Sequence, residues 1–344
     1  MTTMMAYRLV GWREPARFEE VPVPRPGPGE ALVKVAGVGL CHTDVLFLES
    51  PEGAFPYELP MTLGHEIAGT VHEVGEGVGD LAPGDDVVVK SRNSCGTCSY
   101  CLRGFDNYCT TYPFGFGSGL DGGLSPLAAF PRRCLVRLRT LDPVQAGPLA
   151  DAGCTSYHAV TKALPKLGPG TTAVVIGAGG LGGYALQYLR LLSAAQVIAV
   201  DVATHRLALA SDLGAHHTIS SDGTALAQIR DLTAGTGADA VFDFVGTDDT
   251  MRLALASART LGIVALVGAG GGTGGVAWGT VARECEVYIP MGGTLKDLHD
   301  VVALAEAGRL TMRNELFRFE ETPAAYERLR VGDLDGRAVV MPNE

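Results

Sequence analysis

Apolar residues change their spacing along this chain near residue 150. Before it, short alternating runs such as "EALVKVAGVGL" (30–40), "IAGTVHEVG" (67–75) and "DDVVVK" (85–90) are divided by turn signals like "PRPGPGE" and "APGD". Alternation over so few residues predicts half-buried strands, and the Pro and Gly between them predict an irregular, largely β domain. From Thr172 the runs become continuous: "TAVVIG", "QVIAVD", "HHTIS", "DAVFDFVG", "GIVALVG" and "CEVYIP", with helical stretches between them. Buried strands alternating with helices predict an α/β domain with a parallel, doubly wound sheet. The spacing of "LKDLHDVVALAEAG" (295–308) predicts a helix stopped by Gly308, and the short runs "LFRFE" and "GRAVVMP" predict a tail that returns to the first domain. The boundaries expected are 1–153, 154–293 and 294–344.

Composition narrows the function classes. At 344 residues the chain has length for two ordinary domains and needs no disulfide staples. Its formal charge of -11 argues against a nucleic-acid surface, which needs clustered Lys and Arg. The start "MTTMMAYRLVGW" lacks the basic and apolar regions of a secretory signal, so reduced thiols and a cytoplasmic protein are expected. The most apolar window, "TTAVVIGAGGLGGYALQYL", is broken by glycines into strand, turn and helix, so no membrane span is expected.

That window carries the first chemical motif. Gly177, Gly179 and Gly182, with Gly180 and Leu181 between them, have the G-x-G-x-x-G spacing between an apolar strand and a helix. Such a loop turns tightly, lets backbone approach a pyrophosphate and packs helix on strand. Asp201 ends the next strand, nineteen residues past Gly182, where an acid binds ribose hydroxyls. A 2′-phosphate at ~4 Å from it would be repelled by roughly 4 kcal/mol per charge pair at an effective dielectric near 20. NAD is therefore expected over NADP, with Arg206 as a ribose or adenine neighbour; Asp201 could alternatively cap the helix that follows.

Cys95, Cys98, Cys101 and Cys109 place half of the chain's eight cysteines in a C-x2-C-x2-C-x7-C run. Four thiolates on short loops suit a closed, tetrahedral, structural zinc site. The competing reading is a redox or iron-sulfur role, though a redox pair needs only one C-x-x-C beside a βαβ unit. "GLCHTD" and "LGHEIAG" add Cys41, His65 and Glu66, each unremarkable alone.

Taken in order, "GLCHTD", "LGHEIAGTVHEVG", "SCGTCSYCLRGFDNYC", "DAGCTSYHA", "VVIGAGGLGG" and "GRAVVMP" resemble the zinc-containing medium-chain alcohol dehydrogenases, over nearly the whole chain. The resemblance implies an N-terminal GroES-like catalytic domain with a zinc lobe at about 92–110, a Rossmann NAD-binding domain and a C-terminal return. It implies catalytic zinc on Cys41, His65 and Asp151. Some members have cysteine at the third position, and Cys154 is the alternative here. It also implies Glu66 close behind the metal, Thr43 as proton acceptor, and Asp44 as the carboxylate orienting His65. His42 and Arg337 match contacts to the cofactor pyrophosphate. Leu46 stands where some members have a relay histidine, and the other histidines match no ligand motif. Ser91, Arg92 and Asn93 replace a bulky aromatic at the expected pocket wall, with Tyr57 nearby, which implies room for secondary alcohols. The activity implied is reversible oxidation of a small alcohol to aldehyde or ketone by NAD, in a homotetramer with no nucleic-acid or membrane partner. The alternatives are a polyol dehydrogenase and a non-catalytic NAD-binding protein.

Overall fold

The computed structural model describes residues 2–344. The chain divides into two compact units, Met1–Cys154 with Thr294–Glu344, and Thr155–Gly293. Cys154 is thus the last residue of the first unit before the chain enters the second, and Thr294 is where it re-enters. The two residues at which the chain leaves and re-enters the first unit are joined: the Cys154 thiol donates to the Thr294 carbonyl at 3.7 Å.

The first unit is built on a seven-stranded sheet. Its path runs Leu135–Arg137, Asp86–Val89, Glu66–Val74, Glu30–Gly39, Arg337–Met341, Asn314–Arg318, and Leu127–Pro131 pairs off that path with Glu30–Gly39. The tail returns because its last strand joins the middle of this sheet, with Val339 opposite Gly39 and Val340 opposite Val38. Strands Arg17–Pro22, Thr3–Leu9 and Met61–Thr62 form a second, smaller sheet. The core consists of Leu9, Val33, Val35, Phe47, Leu63, Ile67, Phe130 and Val340, all buried. Helix His42–Glu49 begins just beyond strand Glu30–Gly39, and helix Thr322–Val331 packs on it.

The second unit is a six-stranded parallel sheet in the order His217–Ser220, Gln196–Asp201, Thr172–Ile176, Ala238–Asp243, Ala258–Leu266, Glu286–Tyr288. Numbered along the chain this is 3-2-1-4-5-6, the order that leaves a crevice beyond the carboxyl end of the first strand. Val174, Ile176, Ile198, Val200, Val241 and Val264 fill its interior, which accounts for continuous rather than alternating apolar runs. The apolar 171–189 window splits into strand Thr172–Ile176 and helix Gly180–Leu192 around its glycines. Among the described residues no helix is long and apolar enough to cross a membrane.

Candidate active site and metal sites

Cys41 lies at the join between strand Glu30–Gly39 and helix His42–Glu49, as the helix N-cap. Asp44, in the first turn, accepts the Cys41 backbone N–H on Oδ2 at 3.1 Å. Its Oδ1 lies 3.0 Å from His65 Nδ1, and the carboxylate is fully buried. Nδ1–H therefore donates to Asp44, which leaves Nε2, facing Asp151, as the nitrogen that a metal would hold in place of a proton. His65 itself precedes strand Glu66–Val74, whose pairing with Glu30–Gly39 brings it to Cys41. Asp151, from the turn before helix Ala152–Ala163, completes the group. Its Oδ2 lies 3.7 Å from His65 Nε2 and 4.0 Å from Cys41 Sγ. One ligand atom each from Cys41, His65, Glu66 and Asp151 falls within 4.8 Å of the others.

The donor set suits zinc: bonds of roughly 2.0–2.3 Å in tetrahedral directions require donor separations of about 3.3–3.8 Å. The local field suits a cation too. Burial opposes charge on His65, yet Asp44, Asp151 and Cys41 outweigh it and raise its pKa well above 6.5. Cys154 does not enter the group; it is buried and bonded to Thr294. Thr43 Oγ1 is 3.5 Å from Cys41 Sγ, half-buried at the edge of the cluster. His42 is exposed in the first helical position, and Leu46 is exposed one turn on.

Arg337 has a place that the motif did not suggest. Expected at a pyrophosphate, it is buried, with Nε donating to Glu66 Oε2 at 3.0 Å and Nη2 to Glu66 Oε1. Glu66 Oε1 also accepts the N–H of Ala152 at 3.2 Å, so this carboxylate ties the residue following Asp151 to the core. Burial opposes the charge on Arg337, but Glu66, Cys41 and Asp151 hold it protonated. Tyr326 was missed altogether: its buried hydroxyl donates to Asp44 Oδ2 at 3.2 Å from 282 residues away. No local spacing could have revealed that pair.

The four-cysteine lobe is organised by backbone. Cys95 Sγ accepts the N–H groups of Thr97 and Cys98 at 3.4 and 3.2 Å, and Cys109 Sγ those of Cys95 and Tyr112 at 3.3 and 3.4 Å. Sulfur separations of 4.0 Å, Cys95 to Cys101 and Cys98 to Cys109, are close to the ~3.8 Å that tetrahedral Zn–S bonds of about 2.3 Å require. Hydrogen bonds from Thr111 and Thr97 pull the Cys95 thiol down to about 5. Burial, followed by the neighbouring thiols, pushes Cys101 up to about 12. Four sulfurs this close share their ionisation only with a cation between them. Behind the lobe, buried Lys90 pairs with Asp106 at 3.0 Å, and Asp106 accepts the Leu295 N–H at 3.1 Å.

In the second unit the glycine loop follows strand Thr172–Ile176 directly. A β-carbon on Gly182 would meet the Gly177 carbonyl oxygen at 1.9 Å, so the helix can start here only on glycine. Nothing lies within 4 Å of the corresponding position on Gly179, which leaves the start of helix Gly180–Leu192 open to an anionic group. Asp201 is buried, its Oδ2 accepting from Ala178 N at 2.8 Å and its Oδ1 from Ala203 N at 2.9 Å. It thus links the loop to the start of the next helix, and both readings of it have a physical basis. Arg206 Nη1 is 4.0 Å from Asp201 Oδ1.

The expected pocket wall is not made of small free side chains. Ser91 and Asn93 are buried, and Asn93 Oδ1 accepts from Ser94 N at 2.7 Å. Arg92 instead reaches across the lobe, Nε donating to Asn107 O at 3.1 Å and Nη2 to Pro113 O at 2.6 Å. Tyr57 packs with Phe47, Phe55 and Phe114, ring centroids 5.3–5.5 Å apart, and burial, only partly opposed by Arg92 and His65, raises its phenol pKa above 10.

Comparison with known proteins places these features together. Residues 27–140 match the model of the alcohol dehydrogenase GroES-like domain, and residues 180–307 that of the zinc-binding dehydrogenase. An NAD-dependent alcohol dehydrogenase of Sulfurisphaera tokodaii is 34% identical over 350 residues, covering 98% of this chain and 100% of the relative. A D-arabinose 1-dehydrogenase (NADP(+)) of Saccharolobus solfataricus is 34% identical over 347 residues, 99% of each. The crystal structure of an alcohol dehydrogenase from Aeropyrum pernix superimposes with a TM-score of 0.93 at 34% identity, over 98% of this chain and 100% of that one.

Proposed function

The chain belongs to the zinc-containing medium-chain alcohol dehydrogenase family, and we propose that it reversibly oxidises primary and secondary alcohols to aldehydes or ketones with NAD. The observation that carries this reading is the convergence of Cys41, His65 and Asp151 from three separate segments, with His65 Nε2 left facing Asp151 by the bond of Nδ1 to Asp44. Zinc held by those three supplies a Lewis acid with a position open to substrate oxygen, and NAD supplies the hydride acceptor.

The protein's own contribution is positional. Asp44 fixes the His65 tautomer, and Glu66, held by Arg337, fixes the turn that carries Asp151. Thr43 Oγ1 would accept the hydrogen bond of the substrate hydroxyl and, as it receives that proton, give up its own toward solvent, ending as the neutral hydroxyl it began. The closed lobe of Cys95, Cys98, Cys101 and Cys109 holds a second, structural zinc. His42 and Arg337 remain proposed cofactor contacts, His42 by its exposed position and Arg337 in addition to its bond with Glu66. The glycine loop from Gly177 to Gly182 receives the pyrophosphate and Asp201 the ribose hydroxyls. NAD over NADP follows from that carboxylate: Asp201→Ala should shrink the ratio of kcat/KM for NAD against NADP by at least about tenfold. Equal use of both cofactors by the wild type would sink the assignment.

A panel of primary, secondary, aromatic and polyol alcohols, followed as NADH absorbance, tests the activity. Turnover of simple alcohols supports the proposal; turnover of polyols or sugars alone moves the enzyme to the polyol reading, and none at all to a non-catalytic NAD-binding protein. We place the enzyme in the cytoplasm, where its eight free cysteines would stay reduced. We propose a homotetramer; the exposed apolar side chains of Val287, Ile289 and Met291, on and just beyond the edge strand Glu286–Tyr288, support association between copies. Light scattering decides it.

A further inference from the structure

Arg133 has no role in anything described so far, and its position is unusual. It sits beside buried Cys134 in the turn Arg132–Cys134, half-buried, with its Nε enclosed and without a hydrogen-bond partner. Its neighbour Arg132 pairs with Asp80 at 2.6 Å, but among the described residues Arg133 has no carboxylate partner. The guanidinium instead lies on the first turn of the cysteine lobe. A β-carbon built on Gly96 would be 1.8 Å from Arg133 Nη1 and 2.9 Å from its Cζ, and Gly96 has a φ of +78. The backbone angle favours glycine here, and the absence of a β-carbon lets the guanidinium sit directly on the turn.

The turn under the guanidinium is the one that organises the sulfurs. It joins Cys95 to Cys98, its Thr97 and Cys98 amides point at Cys95 Sγ, and the Gly96 amide serves Cys101. A part-buried cation with no counter-charge is costly. Four thiolates around one divalent cation carry a net double negative charge, which those amides offset only in part. The two imbalances have opposite sign and share one turn.

We propose that Arg133 is the counter-charge of the metal-loaded cysteine lobe, a positioning residue whose guanidinium over Gly96 stabilises the four-thiolate site. By linkage, metal in the lobe also fixes Arg133 in place.

Release of zinc to a metallochromic chelator, counted per chain, tests this without reference to activity. Asp151→Ala measured in parallel leaves the lobe as the sole complete site, so that its zinc is read alone. Arg133→Met should release lobe zinc roughly tenfold faster than wild type, the lower end of what loss of a group behind a metal ligand costs. Arg133→Lys should recover most of the difference, and the gap should narrow as salt screens the charge. Arg133→Gln, neutral but still polar, is the second variant should the methionine protein fail to fold, and it should leak like Arg133→Met. Release from the neutral variants at the wild-type rate overturns the proposal. So does equal acceleration in Arg133→Lys at every ionic strength, which would make the contact one of packing. A wild-type chain with no metal at the four cysteines overturns it together with the lobe's assignment, and so is told apart from a failure of Arg133 alone.

Discussion

The two metal sites of this chain are built in opposite ways. In the lobe all candidate ligands lie within Cys95–Cys109, and the groups that orient them, backbone amides joined by the Thr97 and Thr111 hydroxyls, come from that segment and the three residues after it. The Cys41 site draws ligands separated by as many as 110 residues. Its orienting groups are side chains beside the ligands, Asp44 and Glu66, which are held in turn by Arg337 and Tyr326 from the returning tail. A site made from one loop depends mainly on that loop. A site made from three segments depends on the sheet that brings them together, because Cys41 and His65 meet only through the pairing of Glu30–Gly39 with Glu66–Val74. Function follows the same division. On the proposed assignment the lobe would have every ligand position filled by cysteine, while the site of Cys41, His65 and Asp151 would keep one position for substrate.

Removing one ligand from each site breaks the comparison most directly. Asp151→Ala should lose about one zinc per chain, keep the fold, and lower kcat/KM by about 10³-fold, since a Lewis acid contributes several kcal/mol and about 4 kcal/mol corresponds to that factor. Elemental analysis and NADH formation read the two effects. Full zinc content with full activity would put the third ligand elsewhere, although Cys154 could reach the site only by giving up its bond to Thr294.

Cys98→Ser asks the opposite of the lobe. It should also lose about one zinc, but kcat/KM well below the melting transition should stay within about threefold of wild type. The cost should appear as a Tm lower by about 5–10 °C, because metal binding contributes directly to local folding. Activity lost reversibly on mild oxidation, restored by thiol and with no zinc released, would revive the redox reading.

The same division explains what could be read in advance. The glycine loop, the parallel sheet and the cysteine run are carried by local spacing, and local spacing is visible in a sequence. Asp151 stands out only through the order of motifs that resembles a family; as an isolated acid before "AGCTSY" it has no signature. The bond of Arg337 to Glu66 and that of Tyr326 to Asp44 were not legible, since each joins residues more than 250 apart that only the returning tail brings together. Similarly, "SRN" before the first lobe cysteine read as a wall of small side chains. The length of Arg92 let it cross to Asn107 and Pro113, a tertiary choice that composition does not disclose.

The smallest effect expected tests how far the three-segment site depends on that tail. Tyr326 stacks on Tyr7 at 5.9 Å and donates its hydroxyl to Asp44 Oδ2, the oxygen that also accepts from Cys41 N. Burial, reinforced by the charge of Asp44, raises the phenol pKa well above 10, so the hydroxyl remains a donor throughout the neutral range and its contribution should not vary with pH there. Tyr326→Phe keeps the ring and the stacking but removes one of the three donors to this buried carboxylate. A hydrogen bond to a charged group is worth about 1.5–3 kcal/mol. Because Asp44 retains His65 and Cys41 N, a loss at the lower end, about 1.5 kcal/mol of stability, is expected. His65 keeps its partner, so kcat/KM should fall by no more than about threefold, equally at all pH values from 6 to 9. A fall of about a hundredfold, or one that appears only on one side of that range, would mean that Tyr326 takes part in the proton chemistry rather than holding Asp44 in place. No change in either stability or rate would mean that the tail supports the site through Arg337 alone.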